Sequence, residues 1–466
     1  MTYVTVGRKG FSLRVVHRRG APPLSSRAAT AGLEPSERQD RPLSEKTRIS
    51  SISRRQFGLT AFGLSALAAG LTACGSSGGG GSEGGAKTLQ LVLSGDTNQG
   101  GAFAAAAEKY KEITGITIEV VDVPTADITT KLKNAATAND LPALARVTSI
   151  DPLWVNQLQD LSDIAASRGI DQNFLEKSPD GIIPAIPSDL TAVGLFVNKS
   201  LFDKAGVSYP TDLAQAWTWD EFVAAVNEVR EKAGAKYGFV MDRSGHRLRA
   251  MMYEFGSTAF AKEGDKYAAD DEAVETLEYF QKINDDQTMP KSVWLSGEDG
   301  NAMFKSGQVA AYYSGSWQVA DFNKNIKDFE WLSVPLPKKE VNATNLGGGF
   351  MVAFKDTGAD EEARKFIDWF YEDANYTEFA KLGGYLPVKD LQVEYPFQQA
   401  SFELYQKQIA GNEAKGDNAI KRVVAEAYAE TPFSGDPLRE ETVKMLSGSQ
   451  DARTTVDNIV KLYNGA

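Results

Sequence analysis

Cysteine and histidine are nearly missing from this 466-residue chain, which has one of the first, Cys74, and two of the second, His17 and His246. A single cysteine excludes internal disulfides, and its loss to lipid would leave no thiolate for a metal site or a nucleophile. With His17 in an N-terminal leader, only His246 is left, so a zinc site built on two or three imidazoles is excluded. A serine–histidine pair would have to use His246, whose plainer reading is a surface or pocket residue with no catalytic duty. Long apolar runs are scarce too. The longest, Phe57 to Ala73, has the length of a signal-peptide core and is short for a membrane span. Positive charge is also in deficit. Residues 1–73 hold 12 Lys/Arg and 4 Asp/Glu, which leaves 38 basic against 58 acidic residues after them, a formal net of −20. Such a surface repels nucleic acid and anionic lipid.

What is present begins with "SRRQFGLTAFGLSALAAGLTACGSSGGGG" from Ser53. Arg54 and Arg55 stand directly before the apolar run, and the pattern resembles the bacterial twin-arginine export motif. Leu71-Thr72-Ala73-Cys74 resembles a lipobox, in which small residues admit a peptidase and the Cys74 thiol takes up a diacylglyceryl group. Residues 53–73 are therefore expected to be a signal peptide. Residues 74–87 should be a lipidated cysteine with a flexible Gly/Ser tether. Residues 1–52 are basic, rich in Pro, Arg and Ser, and without hydrophobic periodicity. That suits a disordered extension or a start codon assigned too far upstream.

From Thr88 strand and helix patterns alternate. "TLQLVLSG" puts Leu89, Leu91 and Leu93 on one face at period two, and "GAFAAAAEKYKEITG" carries Phe103, Ala106, Ala107, Tyr110 and Ile113 at helical spacing. "ITIEVVDVP", "ADITTKLKNAATAND" and "LARVTS" continue as strand, helix, strand. This order predicts crossover connections, a mainly parallel sheet and ligands beyond the strands' carboxyl ends. The loops Ser94–Gly101, Pro124–Asp127 and Thr148–Trp154 should then share one rim. Further on, "TWDEFVAAVNEVREKAG" has a capping-box start at Thr218 and Glu221 and a Gly234 stop. "YGFVM" and Val309–Tyr313 read as strands. Ala363, Phe366, Ile367, Trp369 and Phe370 mark a buried helix face.

In order along 88–466, "AEKYKEITGITIEV", "GLFVNKSLFDKAGV", "MFKSGQVAAYYSGSW", "GGGFMVAF" and "ARKFIDWFYEDANYTEFAKLGGYLPV" resemble the family 1 extracellular solute-binding proteins, the maltose-binding-protein type that feeds sugar importers. The resemblance implies a two-lobed α/β periplasmic-binding-protein-like fold (type II). Each lobe would be a mainly parallel sheet flanked by helices, with a ligand cleft between the lobes. It implies crossings near Thr191–Gly194, Gly347–Phe350 and Lys389–Glu394. Lobe 1 would hold 88–192 and 352–390, and lobe 2 would hold 195–348 and 395–466. Glycines 347–349 suit a crossing, because they tolerate the backbone angles a hinge passes through.

A sugar needs flat aromatic surfaces under its C–H faces and planar polar groups at its hydroxyl edges. Trp317 in "SGSW" is the stacking candidate, with a core position as its alternative. Trp154, beside Ser149 and Asp151, serves either the pocket or helix packing. Asp96 and Asn98 are placed to take hydroxyls or else sit in a solvated loop. The stretch "MDRSGHRLRAMMYEFG" occupies the place where the family has sugar contacts, but shows Arg243, His246, Arg247 and Arg249 in place of aromatics. Arginine forks suit vicinal hydroxyls and also carboxylates or phosphates. Gly347 and Gly348 would border the cleft, and Tyr385 would be an edge contact or a packing residue.

The expectation is a lipid-anchored monomer on the outer face of the cell membrane. It would capture a carbohydrate and deliver it to the permease subunits of an ABC transporter, with no cofactor, no metal and no nucleic acid. Two alternatives stand beside it. One is a same-fold receptor for a glycerophosphate-like or other non-sugar solute. The other is a secreted glycoside hydrolase, which needs two carboxyls about 5–10 Å apart; no motif isolates such a pair among the 58 acidic residues and the family resemblance argues against one, so the chain is read as not an enzyme.

Overall fold

The computed structural model describes residues 88–465, apart from residue 98 and residues 430–434. The expected extension, signal peptide, Cys74 tether and Asn98 lie outside the described residues. In chain order the strands are β1 (Thr88–Leu93), β2 (Thr117–Asp122), β3 (Leu144–Val147), β4 (Ile186–Pro187) and β5 (Thr191–Asn198). Then come β6 (Tyr237–Met241), a small hairpin of β7 (Lys262–Glu263) and β8 (Lys266–Tyr267), β9 (Val309–Gly315) and β10 (Trp331–Val334). The last are β11 (Leu346–Gly347) and β12 (Phe350–Ala353).

Two sheets organise two lobes. The first runs β2-β1-β3-β12-β4, and the second β10-β5-β9-β6 with β11 on β5. The expected parallel core of lobe 1 is there, since β1 pairs in parallel with both β2 and β3. Beyond it both sheets are mixed, which corrects the expectation of mainly parallel sheets. β12 runs antiparallel to β3 and β4. In the second sheet β5 is antiparallel to β9, β10 and β11, and only β6–β9 is parallel. The reason is connectivity: β5 and β12 enter their sheets from the other lobe, so no crossover helix fixes their direction.

Local chemistry explains the flanking helices. The Ala102–Thr114 helix buries Phe103, Ala107 and Tyr110, and ends where Gly115 takes φ 74° and donates to the Lys111 carbonyl. Ile113, expected on that face, is exposed. The Trp219–Ala233 helix opens on the Thr218/Glu221 capping box and ends at Gly234. Helix Asp360–Phe370 buries Ala363, Phe366, Ile367 and Phe370, while Trp369 is half-buried.

The passage between sheets at 347–350 is tightly packed. A Cβ on Gly348 would stand 2.0 Å from the Asp189 carbonyl oxygen, and one on Gly349 would stand 2.3 Å from Arg146 Nε. None of Gly347, Gly348 and Gly349 has a left-handed φ. Here glycine is required by close approach, not by backbone angle. Gly348→Ala should therefore destabilise the unliganded protein by about 1–3 kcal/mol, the usual cost of overpacking, read as a lower urea midpoint.

Candidate ligand-binding cleft

A cavity of about 440 Å³ opens between the lobes. From lobe 1 it takes Ser94, Gly95 and Gln99 after β1, Arg146 in β3 and Thr148 after it. The crossings supply Thr191, Gly347, Gly348 and Phe350. Lobe 2 supplies Ser244, His246, Arg247 and Trp317, and the Ala419–Ala427 helix adds Ala419, Ile420 and Val423. A second hollow of about 390 Å³ lies on lobe 1 between helices Ala102–Thr114 and Asp373–Gly383. Its exposed wall is largely apolar (Ala102, Ala105, Ala106, Leu382), and of its polar groups Lys109 and Glu378 are paired with each other.

The "SGHRLRAMMYE" stretch is a helix, Gly245–Glu254, capped by the Ser244 hydroxyl, which accepts from the His246 N–H. Helical spacing separates its charged residues. Arg247 lies in the cleft wall. Arg249 turns inward to the Ala259 carbonyl and the Tyr463 hydroxyl. Arg243, just before the helix, is exposed and outside the lining.

Arg247 donates to Asp242 through Nε at 3.0 Å and ion-pairs with it through Nη2 at 2.8 Å, and its guanidinium lies 4.2 Å from the Trp317 ring centroid. Asp242 also accepts from the Tyr312 and Ser314 hydroxyls. Half-buried Trp317 is thus roofed by a cation on one face. Gly315 leaves it room, since a Cβ there would fall 2.0 Å from Trp317 Cζ3. Arg146 is the corresponding cation of lobe 1. Its Nη2 donates to Asp189 at 2.7 Å and its Nε to the Ser188 hydroxyl at 3.2 Å. Burial works against its charge, but Asp189, helped by Tyr385 and Asp96, offsets this and the pKa is raised.

His246 is half-buried, with Asn345 Nδ2 2.9 Å from its Nδ1. Burial first, then Arg247, Arg422 and Arg249, push its pKa well below the ordinary value, so the ring is neutral. Both cleft cations therefore have their own carboxylate one layer back, and the third titratable group carries no charge. Among the described residues no group of three or more His, Cys, Asp or Glu is placed to hold a metal ion.

Of the residues singled out in the sequence, His246, Arg247, Trp317, Gly347 and Gly348 come together in the lining. The others among the described residues go elsewhere. Asp96 turns inward, accepting from the N–H groups of Phe103 and Ala104 at 2.8 and 3.0 Å, so it caps a helix rather than meeting a ligand. Burial raises its pKa against those bonds. Ser149 is exposed outside the lining, and Asp151 pairs with Lys133 at 2.8 Å. Trp154 is a core residue, 1% exposed, edge-on to Phe354. Tyr385 is buried against Phe379 and meets the cleft from behind, with the Arg146 guanidinium 5.7 Å from its ring centroid and its hydroxyl donating to Gln99 Oε1 at 2.6 Å. Neither Pro124 nor Asp127 joins the rim. Sequence reasoning missed Arg146 and Gln99. A lone charge inside the buried strand "LARV" was the available signal for the first.

The family model for bacterial extracellular solute-binding proteins matches residues 105–394, more than half of the chain. The chain belongs to the bacterial extracellular solute-binding proteins. Among curated relatives of this solute-binding protein is an arabinooligosaccharide-binding protein of Halalkalibacterium halodurans, 25% identical over 240 residues, or 49% of this chain and 53% of that relative. The sn-glycerol-3-phosphate-binding periplasmic protein UgpB of Brucella abortus is 25% identical over 309 residues, 62% of this chain and 68% of its own length. The chain spans about half the length of the first curated relatives it matches, 54% for three Brucella binding proteins. Maltose-bound MalE3 of T. maritima has a TM-score of 0.65 at 17% identity, covering 81% of this chain and 99% of that one. The cyclic alpha-maltosyl-1,6-maltose binding protein of Arthrobacter globiformis has a TM-score of 0.59 at 23% identity, covering 82% and 98%. These likenesses show the two-lobed fold.

The two tryptophans allow a direct check. Trp154→Ala should cost about 3–5 kcal/mol of unliganded stability, as for a buried large aromatic, and Trp317→Ala much less. Equal losses in chemical denaturation would mean that Trp317 is a core residue too.

Proposed function

We propose that this protein captures an uncharged sugar or oligosaccharide in the interlobe cleft and delivers it to the membrane subunits of an ABC importer. The observation that carries this is the pre-neutralised lining. Arg146 is paired with Asp189, Arg247 with Asp242, and His246 is neutral. Such a wall offers directed hydrogen-bond donors and a half-exposed indole without net positive charge, which suits hydroxyls and C–H faces better than an anion. The names of the arabinooligosaccharide-binding and maltose-bound relatives support the same class. Membership of a solute-binding family supports a receptor rather than an enzyme.

The UgpB relative keeps a glycerophosphate-like solute as the second reading. Thermal shift separates the two, because a ligand that binds only the folded state stabilises it by about 2.7 kcal/mol at a hundred times its Kd. Maltose or an arabinooligosaccharide should raise the melting temperature equally at low and high salt. A rise with sn-glycerol 3-phosphate alone, weakened by salt, would replace the sugar reading with the phosphate one.

The family is extracellular, and we further propose that Cys74 carries the lipid that holds the protein at the membrane. The support is the lipobox-like Leu71–Cys74 and the glycine tether behind it. Cys74→Ser should release the protein to the medium or leave it as unprocessed precursor. A variant still processed and still dependent on detergent would refute lipidation.

A further inference from the structure

Asn345 lies behind the cleft, fully buried, just ahead of β11. Its side-chain oxygen accepts the backbone N–H of Ala419 at 3.2 Å, and its Nδ2 donates to the backbone carbonyl of His246 at 3.0 Å. A backbone N–H only donates and a carbonyl only accepts, so these two contacts fix which end of the amide is which. The same Nδ2 stands 2.9 Å from His246 Nδ1. A donor there needs a lone pair on Nδ1, which puts the imidazole proton on Nε2. Nε2 has no hydrogen-bond partner among the described residues. It lies beside Gly347 in the cleft wall, 3.4 Å from where a Cβ at that position would be.

We propose that Asn345 is a positioning residue for the cleft, locking His246 in the tautomer that turns an Nε2–H donor toward the ligand. The inference rests on the reading of this cleft as the ligand site. It gives a role in recognition to a side chain outside the cleft lining. It also says what the ligand must present at that point: an acceptor oxygen that needs no positive partner, such as a hydroxyl or an acetal oxygen.

The charged surroundings agree with a neutral ring. Arg247 and Arg249 from its own helix and Arg422 from the Ala419–Ala427 helix all bear on the imidazole, and all are cations. Asp242 is engaged with Arg247, and Asp436 takes the Gly245 N–H at 2.8 Å. The neighbouring ring is Trp317, its centroid 6.4 Å away. No carboxylate among the described residues is hydrogen-bonded to the ring, so nothing there holds an imidazolium.

The chain's histidine poverty makes the test direct. Full-length protein carrying His17→Gln and labelled with 15N-histidine has one imidazole to observe. The expected spectrum is the Nε2–H tautomer, unprotonated at Nδ1, with its titration moved well below the ordinary histidine range. Asn345→Asp exchanges the donor for an anionic acceptor. It should move the proton to Nδ1 and bring the titration up into that range, whereas Asn345→Leu should yield a tautomer mixture. A wild-type Nδ1–H tautomer, or a wild-type ring titrating near its ordinary pKa, overturns the proposal even if no variant folds. So does an Asn345→Asp protein in which neither property changes.

The same linkage has a sign in stability. The folded ring stays neutral while the unfolded one takes a proton below about pH 6.5, so the unfolded state binds more protons there. Wild type should lose stability relative to His246→Gln as pH falls from about 7 to 5. None of these readouts needs a ligand. A protein with the stated tautomer that neither maltose nor an arabinooligosaccharide stabilises fails the carbohydrate reading and leaves this one standing.

Discussion

The buried pairing of Arg146 with Asp189 is the constraint on which the junction of the two lobes depends. Asp189 lies between β4 of the first sheet and β5 of the second, and its carbonyl abuts Gly348 in the return crossing. Arg146 packs its guanidinium on Gly349 of the same crossing and lines the cleft. One ion pair therefore fixes the relation of a core strand to two chain passages. Removing a partner from such a pair is costly, because the other is stranded as a buried charge. The pair is also incomplete: Asp189 Oδ2 is buried with no hydrogen-bond partner. That fits a role in specifying one geometry at the junction better than a role in maximising stability.

Arg247 and Asp242 repeat the arrangement in lobe 2, with Tyr312 and Ser314 saturating the carboxylate. The dipoles and cations of the wall are oriented by groups behind it before any ligand arrives. Preorganisation of this kind lowers the ordering cost of binding. The aromatic face works with it, since the guanidinium over Trp317 limits how the indole can turn.

How much of this was legible in sequence follows from what periodicity carries. The alternation of strand and helix, the capping box at Thr218 and the helix ends at Gly115 and Gly234 are local, and they read correctly. Strand direction is not local, so the antiparallel entry of β5 and β12 was missed. Within the site, His246, Arg247 and Trp317 were found because they follow predicted strands in polar company. Trp154 and Tyr385 sit in similar sequence settings and point into cores, since a side chain's direction after a strand end depends on the packing it meets. Asp96 looked like a ligand contact and is a helix cap seven residues ahead of its partner, Phe103. Arg146 was passed over for the opposite reason: in "LARV" it stands among apolar strand residues, and only its lone charge set it apart from plain core.

The Ala419–Ala427 helix belongs wholly to neither sheet. Ala419 is tied through Asn345 to the crossing, Arg422 bonds the Tyr253 hydroxyl in lobe 2, and Tyr428, just past its end, reaches the Val155 carbonyl of lobe 1 at 3.5 Å. Ile420 and Val423 form one wall of the cleft from this short segment. Ile420 is at the same time a buried member of the hydrophobic core, so a change of letter in this wall is felt by the packing beneath it. Ligand range and the stability of the junction are thus coupled through one short segment.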